Sequence, residues 1–282
     1  MSGDTLATRH IYDAQAFTLE GNLELPLRAE IPPQAYLDLP EVGGYFSQRQ
    51  CEYRFEGIIS YRSAYTQVAG NLDRKPGHGY ITLATAVLED FNILDVVTAD
   101  RVVAQVSSEH PLDGSVPEIT FLGTRFDNLC IAGHQVRLDI DFDCFETRPE
   151  NDAPWSSKKD FRERVAAQYE NIRSRPNLPE EIAERYNRFP SNPGSQVAIE
   201  CSLVQRAESS CPGRIFGHVI DVPHFGRVYL ATLRLVETRD PGTGRISTLY
   251  RLTMIEARMG CIAHGSASAG NTIVNGGTRG GG

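Results

Sequence analysis

Hydrophobic and polar residues alternate with a period of two along several stretches of the chain. The run that starts at Phe17 keeps an apolar phase through Leu27, and similar alternation occurs in residues 51–61, 136–142 and 197–203. Successive side chains of a strand point to opposite faces of a sheet, so each run can bury one face and expose the other. The pattern predicts strands, and the wet faces favour antiparallel pairing.

The apolar period changes to about 3.6 between residues 156 and 189, which predicts a pair of helices. Proline cannot continue a helix, so the first helix should end before Pro176, and Pro179 suits the first position of the second. The many charged residues of this segment nearly cancel and predict a solvated face. The residues expected to face the core are Phe161, Val165, Tyr169 and Ile172 in the first helix and Ile182 and Tyr186 in the second.

Turn-forming residues separate the predicted strands. The segment DPGTG at 240–244 predicts a long hairpin between residues 227–237 and 246–257. The pattern therefore predicts a mainly β fold, with antiparallel sandwich or barrel lobes and a short helical pair inserted between them. The predicted parts are an N-terminal lobe (1–150), the helical pair (151–190), a C-terminal lobe (191–264) and a tail (265–282), and a single extended sandwich is the alternative.

The C-terminal tail is rich in glycine, serine and alanine. Glycine loses more conformational entropy on ordering than any other residue, so residues 265–282 are expected to be flexible. The apolar pair Ile273 and Val274 could instead dock on another surface. In that case residues 271–275 would add a strand to a neighbouring subunit.

Composition narrows the function classes. The 282 residues carry a formal charge of −8, which argues against a nucleic-acid binder. No apolar run is long enough for a membrane span, and the N-terminus lacks a secretory signal, so a cytoplasmic location is predicted. Six cysteines occur without a CxxC motif, and Cys51, Cys144 and Cys201 fall on the apolar phase of strands, which predicts core positions.

Three groups of side chains are candidates for chemistry. His218, Asp221 and His224, with Glu256 nearby across the sheet, have the donor types of a metal or acid–base site. In a straight strand residues six apart lie about 20 Å apart, so the alternative is a strand histidine followed by a turn. His110 and Asp113 occupy a predicted loop, where functional side chains or simple turn chemistry both occur.

The third group, Asp139, Asp141 and Asp143, resembles a calcium ligand set only superficially. Such residues span roughly 13 Å on a flat strand, whereas calcium needs its oxygens at about 2.3–2.6 Å. A wet strand face is the preferred interpretation.

None of these groups amounts to a catalytic motif, and no cofactor can be assigned. We therefore predict a cytoplasmic, non-catalytic binding or assembly protein that associates with itself or with another protein. The alternative is a metal-dependent or acid–base enzyme that uses the histidines and aspartates at positions 110, 113, 218, 221 and 224. The metal candidates are His218, Asp221 and His224.

Overall fold

Antiparallel strands dominate the computed structural model, which describes residues 10–75, 78–112, 117–145, 149, 153–187, 196–242, 244, 246–260 and 263–275. The mainly β fold predicted from the sequence is confirmed. The strands are β1 (Ala14–Leu25), β2 (Ala29–Gln34), β3 (Leu37–Asp38), β4 (Gly44–Gln50), β5 (Tyr53–Phe55), β6 (Ile59–Tyr61), β7 (Ser63–Leu72), β8 (Gly79–Ile93), β9 (Val97–Pro111), β10 (Glu118–Thr120), β11 (Arg125–Asp127), β12 (Cys130–Ile131), β13 (His134–Gln135), β14 (Arg137–Ile140), β15 (Gln196–Ser202), β16 (Val204–Glu208), β17 (Arg214–Phe216), β18 (Val219–Val222), β19 (Gly226–Arg239), β20 (Ile246–Gly260) and β21 (His264–Asn275).

Two large sheets contain most of these strands. Sheet I has nine strands in the order β17-β18-β19-β20-β21-β1-β2, with β15 paired to β19 and β3 paired to β1. Sheet II has ten strands around the long pair β8–β9, with β4, β7, β6 and β5 on one side and β10 to β13 on the other. Strands β14 and β16 form a separate pair.

The two sheets pack face to face as a sandwich. Strands β1, β20 and β21 of sheet I contact β7, β8 and β9 of sheet II, and the buried apolar side chains form one continuous cluster. Sheet I contains strands from both ends of the chain, because β1 pairs with β21 on one side and with β2 on the other. The strand pairing therefore does not follow the predicted boundaries at residues 150 and 190, and the two-lobe organisation stays a prediction.

The predicted hairpin between residues 227–237 and 246–257 is confirmed as β19–β20. Its register runs from Gly226 opposite Met259 to Arg239 opposite Ile246. The pairing is interrupted at Ala231, which has a positive φ of 44°. The register of the hairpin is the same on both sides of this interruption, so neither strand contains an extra residue there.

The expectation of a flexible tail is wrong for residues 265–275. These residues belong to β21, which pairs with β20 on one side and with β1 on the other. Both of its edges are thus occupied within the chain, so residues 271–275 are not free to add a strand to a neighbour. Residues 276–282 lie outside the described part of the chain.

The helical pair is also confirmed. Helix α1 spans Lys159–Arg173 and helix α2 spans Glu180–Arg185, and all six side chains predicted to face the core are buried. Tyr169 donates a hydrogen bond to the Glu200 carbonyl (2.7 Å), and Gln168 bonds the backbone of Ser202 in both directions. Side chains of helix α1 therefore hydrogen-bond backbone groups of the edge strand β15. Without the helix, these groups would be available for pairing with a strand of another chain. Neither helix has the length and apolar character needed to cross a membrane.

Two smaller expectations are wrong. Cys51 is exposed between β4 and β5, although Cys201 is buried as predicted and Cys144 packs against the core. Asp141 is not on a wet face, because its carboxylate is buried and forms an ion pair with Arg164 of α1. Strand alternation did not predict this ion pair, because Arg164 belongs to helix α1, which packs over the strand from a different part of the chain.

Candidate functional site

A groove of about 1070 Å³ crosses the outer face of sheet I. Strands β19, β20, β21 and β1 contribute most of its lining. Arg185 of helix α2, Glu200 of β15 and residues 28–31 and 33 at strand β2 complete it. We call this depression the charged groove. The opposite face of the same strands is buried against sheet II, so side-chain alternation sends their polar residues into the groove.

Strand register sets the order of the groove residues. Thr232 stands opposite Thr253, and Arg234 stands opposite Arg251. Farther along the same face, Glu256 of β20 stands opposite Ser268 of β21. Rows of polar residues therefore run across the sheet, and backbone pairing holds them in place on both sides of the interruption at Ala231.

Arginines outnumber carboxylates in the charged groove, although the whole chain is acidic. Its lining contains five arginines and four glutamates, against a formal charge of −8 for the chain. The arginines are Arg28, Arg185, Arg234, Arg251 and Arg258, and the glutamates are Glu20, Glu30, Glu200 and Glu256. The groove is thus a local exception to the charge of the protein.

Arg185 is the most deeply placed of these arginines. Its guanidinium donates to both carboxylate oxygens of Glu256 (2.9 and 2.7 Å) and to Oε1 of Glu200 (2.5 Å). It also lies 4.0 Å above the ring of Tyr229, in the geometry of a cation–π contact. A single side chain therefore fastens helix α2 to β15, β19 and β20.

The ionisation of this cluster follows from burial and mutual contact. Burial lowers the pKa of Arg185, but its hydrogen bonds to Glu256 and the charges around it prevail and hold that pKa above its usual value. Burial raises the pKa of Glu256, whereas Arg185 and Arg258 lower it, and the net direction is down. Both partners therefore stay charged at neutral pH, and Arg185 is already engaged within the protein.

Arg234 and Arg251 form a like-charged pair across two neighbouring strands. Arg251 donates to Glu20 (2.6 Å) and lies 5.7 Å from the ring of Phe17. Arg234 is exposed and forms no ion pair with any residue in the described ranges. Like charges directly opposite each other destabilise a sheet, so an anion placed between the two guanidiniums would be stabilising.

A second depression of about 650 Å³ continues from the charged groove. The two share Asn22, Arg258 and Ser266. The second is lined at its far side by Asp221 and His224, and by His264, whose Nδ1 lies 2.7 Å from Oε2 of Glu24.

The structure does not bring His218, Asp221 and His224 together. His218 is buried beneath helix α2, with Nε2 bonded to the Tyr186 hydroxyl, while Asp221 bonds Arg214 (2.8 Å). His224 is exposed in the turn after β18, with a positive φ of 60°. No group of three potential metal ligands occurs among the residues that the structure describes. Glu256, expected near His218, belongs to the Arg185 cluster beside it.

His110 is buried at the end of β9. Its Nε2 lies 3.2 Å from the Asn275 carbonyl oxygen and therefore carries the proton in that hydrogen bond. Its ring lies 5.0 Å from that of His10, and burial lowers the pKa of both. His110 thus secures the end of β21 and lines neither depression, and Asp113 lies outside the described residues.

Sequence reasoning missed Arg185, Arg234 and Arg251. The sequence predicts a solvated helix face that includes Arg185, but only 14% of this side chain is exposed. For the other two the predicted hairpin gave only a partial signal: a turn centred on Gly242 places Arg234 opposite residue 250, one residue away from its observed partner Arg251. The burial of Arg185 had no such signal, since it depends on how α2 sits on the sheet.

A family model described as a domain of unknown function, DUF8256, matches residues 10–236, and the chain belongs to that family. The match includes β1, β2, α2 and most of β19 of the charged groove, and it ends before β20. No curated protein and no solved structure matches the chain.

Proposed function

We propose that this member of the DUF8256 family is a non-catalytic binding protein that accepts an extended acidic segment of a partner polypeptide in the charged groove. The observation that carries the proposal is the cross-strand pair of Arg234 and Arg251, with Arg234 exposed and without an ion-pair partner in the described chain. Guanidinium groups bind carboxylates through paired, charge-assisted hydrogen bonds.

The shape of the groove supports an extended ligand. A volume of about 1070 Å³ spread over four neighbouring strands suits several residues of chain rather than one small molecule. The hydroxyl groups of Thr232, Thr253 and Ser268 on its floor already donate to the Thr253 carbonyl, Oδ1 of Asn271 and Oε1 of Glu20, so recognition of an extended peptide rests on the arginines. The arginines would then select carboxylate side chains along it.

The carboxylates of the groove give the site its selectivity. Glu256 and Glu200 are engaged by Arg185, and Glu20 is engaged by Arg251. Of the four glutamates only Glu30 has no ion pair within the described chain, so a basic peptide would compete with an existing ion pair at the other three. An acidic peptide meets Arg234 without displacing an ion pair. We therefore expect charge discrimination in favour of acidic segments.

The test is a titration of the full chain with a fluorescently labelled hexaglutamate peptide, followed by anisotropy. We expect saturable binding that weakens with added salt, and no binding of hexaglutamine or hexalysine. The Arg234→Gln variant should bind about tenfold more weakly, because it loses a charged hydrogen-bond pair. Arg54→Gln, an equally charge-reducing change on β5 of sheet II, should bind as the wild type does. Equal binding by all three proteins would refute the proposal.

We also infer a cytoplasmic location. The cysteines that the structure describes, Cys51, Cys130, Cys144, Cys201 and Cys211, are free thiols, which suits a reducing compartment. Thiol titration of protein isolated without reductant should recover all of these cysteines as free thiols, and recovery of disulfides would contradict the inference.

A further inference from the structure

Strand β4 forms an edge of sheet II. It pairs with β7 and with no other strand among the described residues. Six of its seven residues are exposed, and because consecutive residues point to opposite faces, β4 is open on both faces as well as along its free edge. Its backbone groups on that edge are therefore available to another strand.

The edge of β4 lacks the features that usually prevent strand addition. Native edges are commonly shortened, bulged, or interrupted by proline or lysine. The register of β4 on β7 instead runs without a shift from Gly44 opposite Gly70 to Gln50 opposite Ala64. Its sequence, GYFSQRQ, contains no proline and no lysine, and Arg49 is its single charged residue. Tyr45 is 63% exposed and Phe46 is 41% exposed.

We propose that β4 pairs antiparallel with β4 of a second copy of this chain and so forms a two-fold symmetric dimer. An antiparallel pair of identical strands has its axis at one residue, and only an axis at Ser47 pairs all seven residues of β4. This inference does not depend on the charged groove, which lies on sheet I.

The register centred on Ser47 is chemically self-complementary. It places Tyr45 opposite Arg49 of the second copy, and the two-fold axis repeats this pair on the other side. An arginine beside a tyrosine ring gains a cation–π contact, and cross-strand neighbours are close enough to make one. On the opposite face, Phe46 stands opposite Gln48 of the second copy and covers its aliphatic stem.

The small area of the interface between the two β4 strands sets the expected affinity of the dimer. A single seven-residue strand pair buries less than the roughly 1,200–2,000 Å² of a stable interface. We therefore expect a reversible dimer with a micromolar dissociation constant.

Sedimentation velocity of the full chain over a range of micromolar concentrations tests the proposal. The wild type should shift with concentration from the chain mass of 31.2 kDa towards twice that mass. Tyr45→Arg places arginine opposite arginine twice and should weaken the dimer about tenfold. The double variant Tyr45→Arg/Arg49→Glu restores opposite charges in the same register and should recover the wild-type dissociation constant.

Leu122→Arg is the matched control, because Leu122 is equally exposed (63%) but lies in a turn beside the other edge of sheet II. It should dimerise as the wild type does. A wild-type chain that stays monomeric at about 100 μM would overturn the proposal. A Tyr45→Arg variant that dimerises normally, or a double variant that does not recover, would overturn it as well.

Discussion

The hydroxyl of Tyr186 lies 2.7 Å from Nε2 of His218, at a fully buried contact between helix α2 and sheet I. The same hydroxyl lies 3.4 Å from Oε1 of Glu200, so it connects the buried imidazole to the Arg185 cluster of the charged groove. The histidine that the sequence suggested as a metal ligand is thus engaged in seating α2, the helix that positions Arg185.

Removing that hydroxyl should destabilise the protein. In Tyr186→Phe, Nε2 of His218 stays buried without its partner, and an unsatisfied buried polar group costs about 2 kcal/mol. We expect the free energy of unfolding in urea to fall by that amount. The same change at the exposed Tyr36 should have almost no effect. Equal stability of the Tyr186→Phe variant and the wild type would contradict this role.

Burial and the charge of Arg185 lower the pKa of His218 to about 3, from 6.5 for a free imidazole. Below pH 6.5 the unfolded chain therefore takes up a proton that the folded chain excludes, so stability is complete above pH 6.5 and falls as the pH decreases towards 3. Between these two pKa values, one such group lowers the free energy of unfolding by about 1.4 kcal/mol for each pH unit of acidification.

The His218→Gln variant isolates this contribution. Glutamine retains a polar atom for Tyr186 but does not titrate, so unfolding free energies measured from pH 7.5 to 4.5 should fall less steeply than in the wild type. The difference in slope should approach one proton at the acid end. Identical slopes for the two proteins would show that His218 titrates normally in the folded chain.

Arg185 compensates two carboxylates at once. Replacing it by methionine leaves Glu200 and Glu256 together without their common partner, which should cost about 3 kcal/mol of stability. The triple variant Arg185→Met/Glu200→Gln/Glu256→Gln removes the stranded charges and should recover most of that loss. If the triple variant is no more stable than Arg185→Met, the ion pairs are not what holds α2 on the sheet.

The position of β21 inside sheet I predicts which substitutions in this strand disrupt folding. Val274 is buried in the sandwich, so Val274→Asp should abolish the cooperative unfolding transition by placing a carboxylate in the core. Ser266→Asp lies on the same strand but on its exposed face, and should be tolerated. A flexible segment would accept both changes equally well, and that outcome would contradict the strand assignment.

The sequence pattern determined much of the fold because alternation and helical periodicity report which residues each element buries. The β19–β20 hairpin and the buried faces of α1 and α2 follow from it directly. The predicted flexibility of residues 265–275 is wrong because small residues also occur where a strand passes close to its neighbours. In the structure a Cβ at Gly270 would lie 3.1 Å from Met254 and 3.2 Å from Val102, so β21 needs small residues to pass between its neighbours.

The site was predictable only in part. Pairing of β1 with β21 joins segments about 250 residues apart, and no local pattern specifies which strands become neighbours. The Arg234–Arg251 pair depends on the exact register of the predicted hairpin, and the contact of Arg185 with Glu200 and Glu256 depends on tertiary packing of α2. The sequence pattern therefore does not predict side-chain clusters that form between separate strands and helices.

The most direct test of the binding proposal is a ¹⁵N–¹H NMR titration of arginine-labelled chain with hexaglutamate, observing the side-chain Nε–Hε signals. Signals of Arg234 and Arg251 can be assigned by their loss in the Arg234→Gln and Arg251→Gln variants. Binding in the charged groove should shift these two signals and leave that of Arg54 unchanged. Unchanged signals for Arg234 and Arg251, or equal shifts at all exposed arginines, would contradict it.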